Sequence, residues 1–220
     1  MRVYYIPKDS RGLVFDIDST LYRNDAYTAA MEEGIVRRFA SERRISFDEA
    51  LRMVNEYRRN FAEQNGGRKP SLGNTYLALG VPIAISARWR EETIDPKRFL
   101  SKDRRLRETL SCIAQRFRFI AVTNNPTSIG RETLRALGVD AFFPFVIGLD
   151  VSGVSKPHER PFLLASEALG LPLHSLVSIG DRYEVDLEVP LSLGMGAILV
   201  ESMEDVYSLP SVLCGRGEYH

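Results

Sequence analysis

Short apolar runs alternate with amphipathic segments along most of the chain. The runs are bounded by glycine or charged residues, which is typical of buried strands. They lie at 12–17, 118–123, 145–149, 176–179 and 197–200. Helical spacing of apolar residues predicts helices between them, at 102–116, 127–137, 161–169 and 184–193, the last disturbed by Pro190. Strands that alternate with helices indicate a parallel sheet covered on both faces.

A long, mostly helical stretch interrupts this alternation after the first apolar run. Apolar periodicity predicts helices at 26–44, 74–79 and 83–92. Ser46 and Glu49 form a capping-box pattern that opens a further helix through about Phe61. Gly-Gly and Pro break the pattern at 64–72, which predicts a loop.

These elements predict an α/β fold with two parts. The first is a three-layer Rossmann-like core with a parallel sheet, formed by residues 1–23 and 100–220. The second is an α-helical cap domain inserted at 24–99. A chain of 220 residues is long enough for a large domain with a smaller insert and a well-buried core.

Composition narrows the classes of protein that fit. The chain has 29 basic and 29 acidic residues, so no overall charge excess favours nucleic acid as a partner. No apolar stretch reaches the length of a membrane span, which predicts no membrane partner. The two cysteines, Cys112 and Cys214, have no metal-type spacing and fit a reducing compartment. We therefore expect a cytoplasmic protein. The oligomeric state is left open.

Polar residues with chemical uses follow the ends of the predicted strands, where ligands bind in open parallel sheets. They are Asp16, Asp18, Thr123, Asn124, Lys156, Asp181 and Asp186. Taken singly, such residues are common in turns and helix caps. Together they place four acids, a hydroxyl, an amide and an amine at one edge of the sheet.

Each residue type has a physical use there. A carboxylate can attack phosphorus and form an acyl phosphate. Asp16 and Asp18 are two residues apart on an extended chain and face the same way, so one can attack while the other handles the leaving-group proton. Attack by one anion on another requires a cation, for which Mg²⁺ with carboxylate ligands is suited. Thr123 and Lys156 can hold the phosphate oxygens, and Asn124 can add a donor.

Four ordered motifs, FDIDST, AVTNN, SKP and GDRYEVD, resemble those of the haloacid dehalogenase superfamily of phosphatases. The resemblance implies that Asp16 is nucleophile and metal ligand, and that Asp18 is the acid/base whose backbone carbonyl also contacts Mg²⁺. It further implies that Asp181 binds the metal and that Asp186 supports the metal site without binding the metal directly. Within the superfamily, FDIDSTLY, KPHERPF and GDRYEVDL look most like the pyrimidine 5′-nucleotidase-like group.

The resulting hypothesis is Mg²⁺-dependent hydrolysis of a small phosphomonoester through an aspartyl-phosphate intermediate. A nucleoside monophosphate leads the candidate substrates, followed by sugar phosphates and phosphoglycolate. A phosphomutase of the same superfamily is one alternative. A receiver-type phosphoacceptor domain is another, but the position of Asp16 on the first predicted strand and the long helical insert disfavour it.

Overall fold

The computed structural model describes residues 1–215, so residues 216–220 of the predicted core lie outside the described residues. The strands are β1 (Arg2–Tyr5), β2 (Gly12–Phe15), β3 (Arg118–Val122), β4 (Phe145–Ile147), β5 (Leu176–Gly180) and β6 (Gly196–Leu199). The helices are α1 (Asp25–Arg43), α2 (Phe47–Gln64), α3 (Leu72–Ala78), α4 (Ile83–Thr93), α5 (Arg104–Ile113), α6 (Thr127–Leu137), α7 (Leu149–Ser152), α8 (Arg160–Leu169), α9 (Glu188–Ser192), α10 (Met203–Tyr207) and α11 (Leu209–Leu213).

The six strands form one mostly parallel sheet in the order β1-β6-β5-β2-β3-β4. The predicted α/β fold class is thereby confirmed. β1 is the exception, because it pairs with β6 in antiparallel orientation. β1 was not predicted from the sequence, because its residues are mostly exposed at the sheet edge and carry no buried apolar run.

Two apolar layers cover the faces of the sheet, and alternate residues of β2 show why. Leu13 and Phe15 pack in the larger cluster with Leu106 of α5 and Leu134 of α6. Val14 points to the opposite face and packs with residues of β3 and α8. Side chains of a strand alternate between faces, so one apolar strand serves both layers.

Helices α1 to α4 lie between β2 and β3 in the chain, and we call residues 24–99 the helical insert. The insert has a buried cluster of its own, which includes Ile35, Phe39, Val54, Tyr76 and Trp89. The Ser46 hydroxyl accepts a hydrogen bond from the backbone N–H of Glu49, as an N-cap does.

Two regions depart from the predicted pattern. The helix predicted at 184–193 is a π-helical turn, Tyr183–Leu187, followed by α9. Short helices α10 and α11 near the end of the chain were not predicted. Among the described residues, no helix combines the length and the apolar composition that crossing a bilayer requires.

Candidate active site

The site forms where three adjacent central strands end. β2 lies between β3 and β5 and runs parallel to both. The chain builds the sheet outward from β2 in both directions, so the ends of these strands form the switch point at which open α/β sheets bind ligands. Asp16, Thr123 and Asp181 each follow one of these strands directly.

A tight turn after β2 fixes the side chain of Asp16. The backbone N–H of Asp16 donates to the carbonyl oxygen of Ile179, extending the pairing with β5. Ser19 then adopts a φ of 62°, in the left-handed region that non-glycine residues rarely occupy. This turn brings the Thr20 hydroxyl back to donate to Asp16 Oδ2 at 3.0 Å. Asp16 is thereby held in one orientation.

Lys156 is the buried cation of the site, with a side chain only 2% exposed. Its Nζ donates to Asp16 Oδ1 at 2.6 Å, Asp186 Oδ1 at 2.7 Å and the Val122 carbonyl oxygen at 2.8 Å. Burial by itself lowers the pKa of Lys156, but the two carboxylates outweigh this and raise it. A permanently charged Lys156 therefore neutralises part of the acidic cluster.

Asp18 lies opposite Lys156, with donors on both carboxylate oxygens. Tyr22 Oη donates to Oδ1 at 2.7 Å. Thr123 Oγ1 and Asn125 Nδ2 each donate to Oδ2 at 2.9 Å. Burial, and next the nearby charge of Asp16, raise the pKa of Asp18 despite these donors. A carboxyl group that holds its proton more tightly than usual is suited to general acid catalysis.

The carboxylates of Asp16, Asp181 and Asp186 lie close enough to share a metal ion. One oxygen of each falls within 4.8 Å of the others. Asp181 Oδ1 is buried and has no hydrogen-bond partner among the described residues, and its nearest cation, Arg182 Nε, is 3.8 Å away. Burial, followed by repulsion from the other two acids, raises the pKa of Asp181 to about 7. An all-oxygen donor set with an unpaired, crowded carboxylate fits Mg²⁺.

Asp186 reaches this cluster because Gly180 leaves room for it. A Cβ added at Gly180 would lie 2.4 Å from the Cβ of Asp186. The backbone N–H of Arg182 donates to Asp186 Oδ2 at 3.2 Å, while Oδ1 accepts from Lys156. The π-helical turn thus aims Asp186 at Lys156, which suits a supporting role for Asp186.

Asn124 has a different environment from the one that a phosphate donor requires. Its side-chain Oδ1 accepts from the backbone N–H of Lys156 at 2.7 Å, and its Nδ2 donates to the Lys156 carbonyl oxygen at 3.2 Å. Both ends of the amide therefore hold the main chain of Lys156. The geometry supports a positioning role, and phosphate binding by Asn124 stays a prediction.

Asn125 and Arg90 are further residues of the site that were not predicted from the sequence. Asn125 bonds both Asp18 and Arg90, and its position next to Asn124 in the AVTNN motif was the available signal. Arg90 belongs to α4 of the helical insert and is 2% exposed. Arg90 lies three residues after Ala87 and four after Ser86, so helical spacing places it on the buried face of α4, and this spacing was the available signal.

This fold and site define an α/β protein whose clustered carboxylates suit a metal ion. Comparison with known families makes the assignment specific, since a profile for haloacid dehalogenase-like hydrolases matches residues 11–194. The chain belongs to the haloacid dehalogenase-like hydrolase family. The resemblance of the four motifs is confirmed at this level. The narrower assignment to the pyrimidine 5′-nucleotidase-like group stays a prediction.

Phosphatases are among the similar proteins. The chain is 24% identical to a glyceraldehyde 3-phosphate phosphatase of Methanocaldococcus jannaschii, over 89% of each chain. It is 28% identical to a phosphoglycolate phosphatase of Pectobacterium atrosepticum, over 78% of this chain and 72% of the relative. A haloacid dehalogenase family phosphatase structure from Thermococcus onnurineus superposes with a TM-score of 0.65 at 21% identity, covering 93% and 98% of the chains. The predicted enzyme class, a phosphatase, is confirmed.

Proposed function

We propose that the protein hydrolyses a small phosphomonoester through a phosphorylated Asp16, with Mg²⁺ as cofactor. One observation carries this proposal. The Asp16 carboxylate is fixed at the end of β2 by Thr20 and Lys156, beside two further acids that can share a cation with it.

The first half-reaction transfers the phosphoryl group to Asp16. A carboxylate oxygen of Asp16 attacks phosphorus as the bond to the ester oxygen breaks. Asp18 gives its proton to the departing oxygen, and its raised pKa favours the protonated form that this step needs. Thr123 and Lys156 are the proposed contacts of the phosphate oxygens.

The second half-reaction releases phosphate. Asp18, now a carboxylate, takes a proton from a water molecule that attacks phosphorus and breaks the acyl-phosphate bond to Asp16. The hydrogen bonds from Tyr22 and Asn125 hold Asp18 in place for both steps. One residue therefore serves as acid and then as base.

Asp16 and Asp181, with the backbone carbonyl of Asp18, are the proposed Mg²⁺ ligands, and Asp186 supports them. The cation supplies the positive charge that allows an anionic carboxylate to approach an anionic phosphate.

We expect removal of divalent cations to abolish turnover. The protein is treated with a chelator and dialysed, and phosphate release is measured before and after MgCl₂ is added. Activity should fall to background and return with Mg²⁺, because three carboxylates would otherwise repel each other and the substrate. Ca²⁺, which prefers more ligands at longer distances, serves as the control cation. Full activity after exhaustive chelation would contradict the proposed cofactor.

We further propose that the helical insert acts as a cap over the site. The Ser71 and Ser155 hydroxyls lie 3.0 Å apart, joining the insert to the core near Lys156. Nη1 of Arg68, in the predicted loop, lies 3.4 Å from Oε2 of Glu188 in α9. These contacts support a position of the loop against the edge of the core that carries the acids.

Changing Arg68 and Lys69 together to alanine should shift the relative kcat/KM among phosphate esters, with little effect on Mg²⁺ dependence. The reason is that the core residues contact only the phosphoryl group and the cation, so discrimination must come from the insert. A panel of a nucleoside monophosphate, a sugar phosphate and phosphoglycolate measures this, and also tests the predicted nucleotide substrate.

The matched control changes Lys102 and Arg104 to alanine, a similar pair at the start of α5 with Arg104 almost fully exposed. It should leave the ranking unaltered. An unaltered ranking in the Arg68 and Lys69 variant as well would show that this loop has no part in selectivity.

A further inference from the structure

Arg90 is a buried cation with unused hydrogen-bonding capacity. Its Nη1 donates to the Asn124 carbonyl oxygen at 2.7 Å and to Asn125 Oδ1 at 3.2 Å. Its Nε and Nη2 are buried without a partner in the part of the chain that the structure describes. Leaving buried donors unpaired is costly, and a buried arginine with no carboxylate partner is unusual. The side chain is therefore placed for an acceptor that the described protein does not supply.

Arg90 lines a cavity that Asp18, the proposed acid/base, also lines. This cavity, of about 230 Å³, is lined by Asp18, Asn125 and Asp181 of the core and by Arg58 and Arg90 of the insert. Arg58 already pairs with Glu32 at 2.9 Å. Arg182, also at the cavity, lies beside Asp181 and is half exposed. Among the described residues, Arg90 is thus the buried lining arginine whose charge no carboxylate contacts directly.

Arg90 lies close to Asp18, the proposed acid/base. The amide of Asn125 bridges the two, accepting from Arg90 and donating to Asp18 at 2.9 Å. The path from Arg90 Nη1 to Asp18 Oδ2 consists of one amide and two hydrogen bonds and spans roughly 8 Å. Sites for drug-sized ligands are typically about 300–1,000 Å³, so the cavity suits a smaller molecule. A phosphate ester whose leaving oxygen lies at Asp18 can therefore reach Arg90 through a chain of two or three carbons.

Resting on the proposed function, we propose that Arg90 binds a carboxylate at the far end of the substrate, so that the protein prefers phosphate esters of small hydroxy acids. The planar guanidinium donates from two nitrogens to both oxygens of a carboxylate, a geometry that a neutral hydroxyl does not match. Without this partner, burial lowers the pKa of Arg90 to about 10, so the side chain stays cationic at neutral pH.

The test compares two esters of equal length, phosphoglycolate and 2-hydroxyethyl phosphate. The first ends in a carboxylate and the second in a hydroxymethyl group. The wild-type protein should show a kcat/KM at least about tenfold higher for phosphoglycolate. Arg90→Met should remove this preference. Arg90→Lys, which keeps the charge but loses the paired donors, should retain part of it. Thermal unfolding confirms that each variant is folded.

The ratio of the two kcat/KM values separates binding from a merely structural role. If Arg90 only braces Asn125, Arg90→Met lowers kcat/KM for both esters equally and the ratio is unaltered, which overturns the proposal. The control Arg38→Met removes an arginine of α1 that pairs with Glu92 and should leave the ratio unchanged. If Arg90→Met does not fold, the wild-type ratio decides, since a ratio near one overturns the proposal. Failure to hydrolyse any ester would instead contradict the proposed function.

Discussion

Replacing Asp16 by asparagine should lower kcat by about a millionfold while leaving the protein folded. The amide has nearly the same size as the carboxylate, and its single oxygen can keep one of the two hydrogen bonds that Thr20 and Lys156 donate to separate oxygens of Asp16. It is a far poorer nucleophile, so the covalent step is lost. Phosphate release with saturating substrate and Mg²⁺ measures the loss, and circular dichroism checks the fold.

A trapping experiment identifies the intermediate directly. Wild-type protein is quenched with acid during turnover of substrate and then reduced with borohydride. It should contain homoserine at position 16, because borohydride reduces an aspartyl phosphate to that residue. Mass spectrometry locates it. The Asp16→Asn protein should yield none, whereas Asp9→Asn, the same change at an exposed residue before β2, should match the wild type. Turnover at the wild-type rate in a folded Asp16→Asn protein would disprove the mechanism.

Replacing Asp18 by asparagine should slow hydrolysis of an alkyl phosphate by about 10²–10⁴-fold, the range that general acid–base catalysis supplies. The alkoxide needs a proton from Asp18 to leave, whereas nitrophenolate leaves without one. With p-nitrophenyl phosphate, the variant should therefore release a burst of one nitrophenol per site. Slow turnover should follow, because the base for the second step is missing.

Rapid-quench measurement of nitrophenol and phosphate in parallel distinguishes the two steps. The control Asp25→Asn removes an exposed acid from the first turn of α1 and should have normal kinetics. Equal rate losses for the alkyl and nitrophenyl esters, with no burst, would count against Asp18 as the acid/base. Transfer of the phosphoryl group from the protein back to the alkyl product would favour the phosphomutase alternative.

The strand ends were the most predictable part of the molecule. The ends of each apolar run agree with those of the observed strand to within two residues, because a fully buried parallel strand must be apolar on both faces. Parallel connections then bring the carboxyl ends of β2, β3 and β5 to one edge. Asp16, Thr123 and Asp181 could be placed together for that reason alone.

Contacts that cross between distant segments were not predictable. Exposed β1 pairs with β6 across almost the whole chain, and no local periodicity encodes such a partner. Asn124 looked like a free donor, but its amide holds the main chain of Lys156, 32 residues away. Side-chain direction at such a position depends on the packing of both segments.

The sequence by itself determined the α/β class and the acids, hydroxyl and amine of the candidate site, since burial and strand direction leave a readable local pattern. Only the tertiary structure placed Arg90 of α4 beside Asn125, 35 residues further along the chain. Helical spacing can place Arg90 on the buried face of α4, but it does not show which segment covers that face. Other segments remove water from Arg90, and this desolvation exists only once the insert packs against the core.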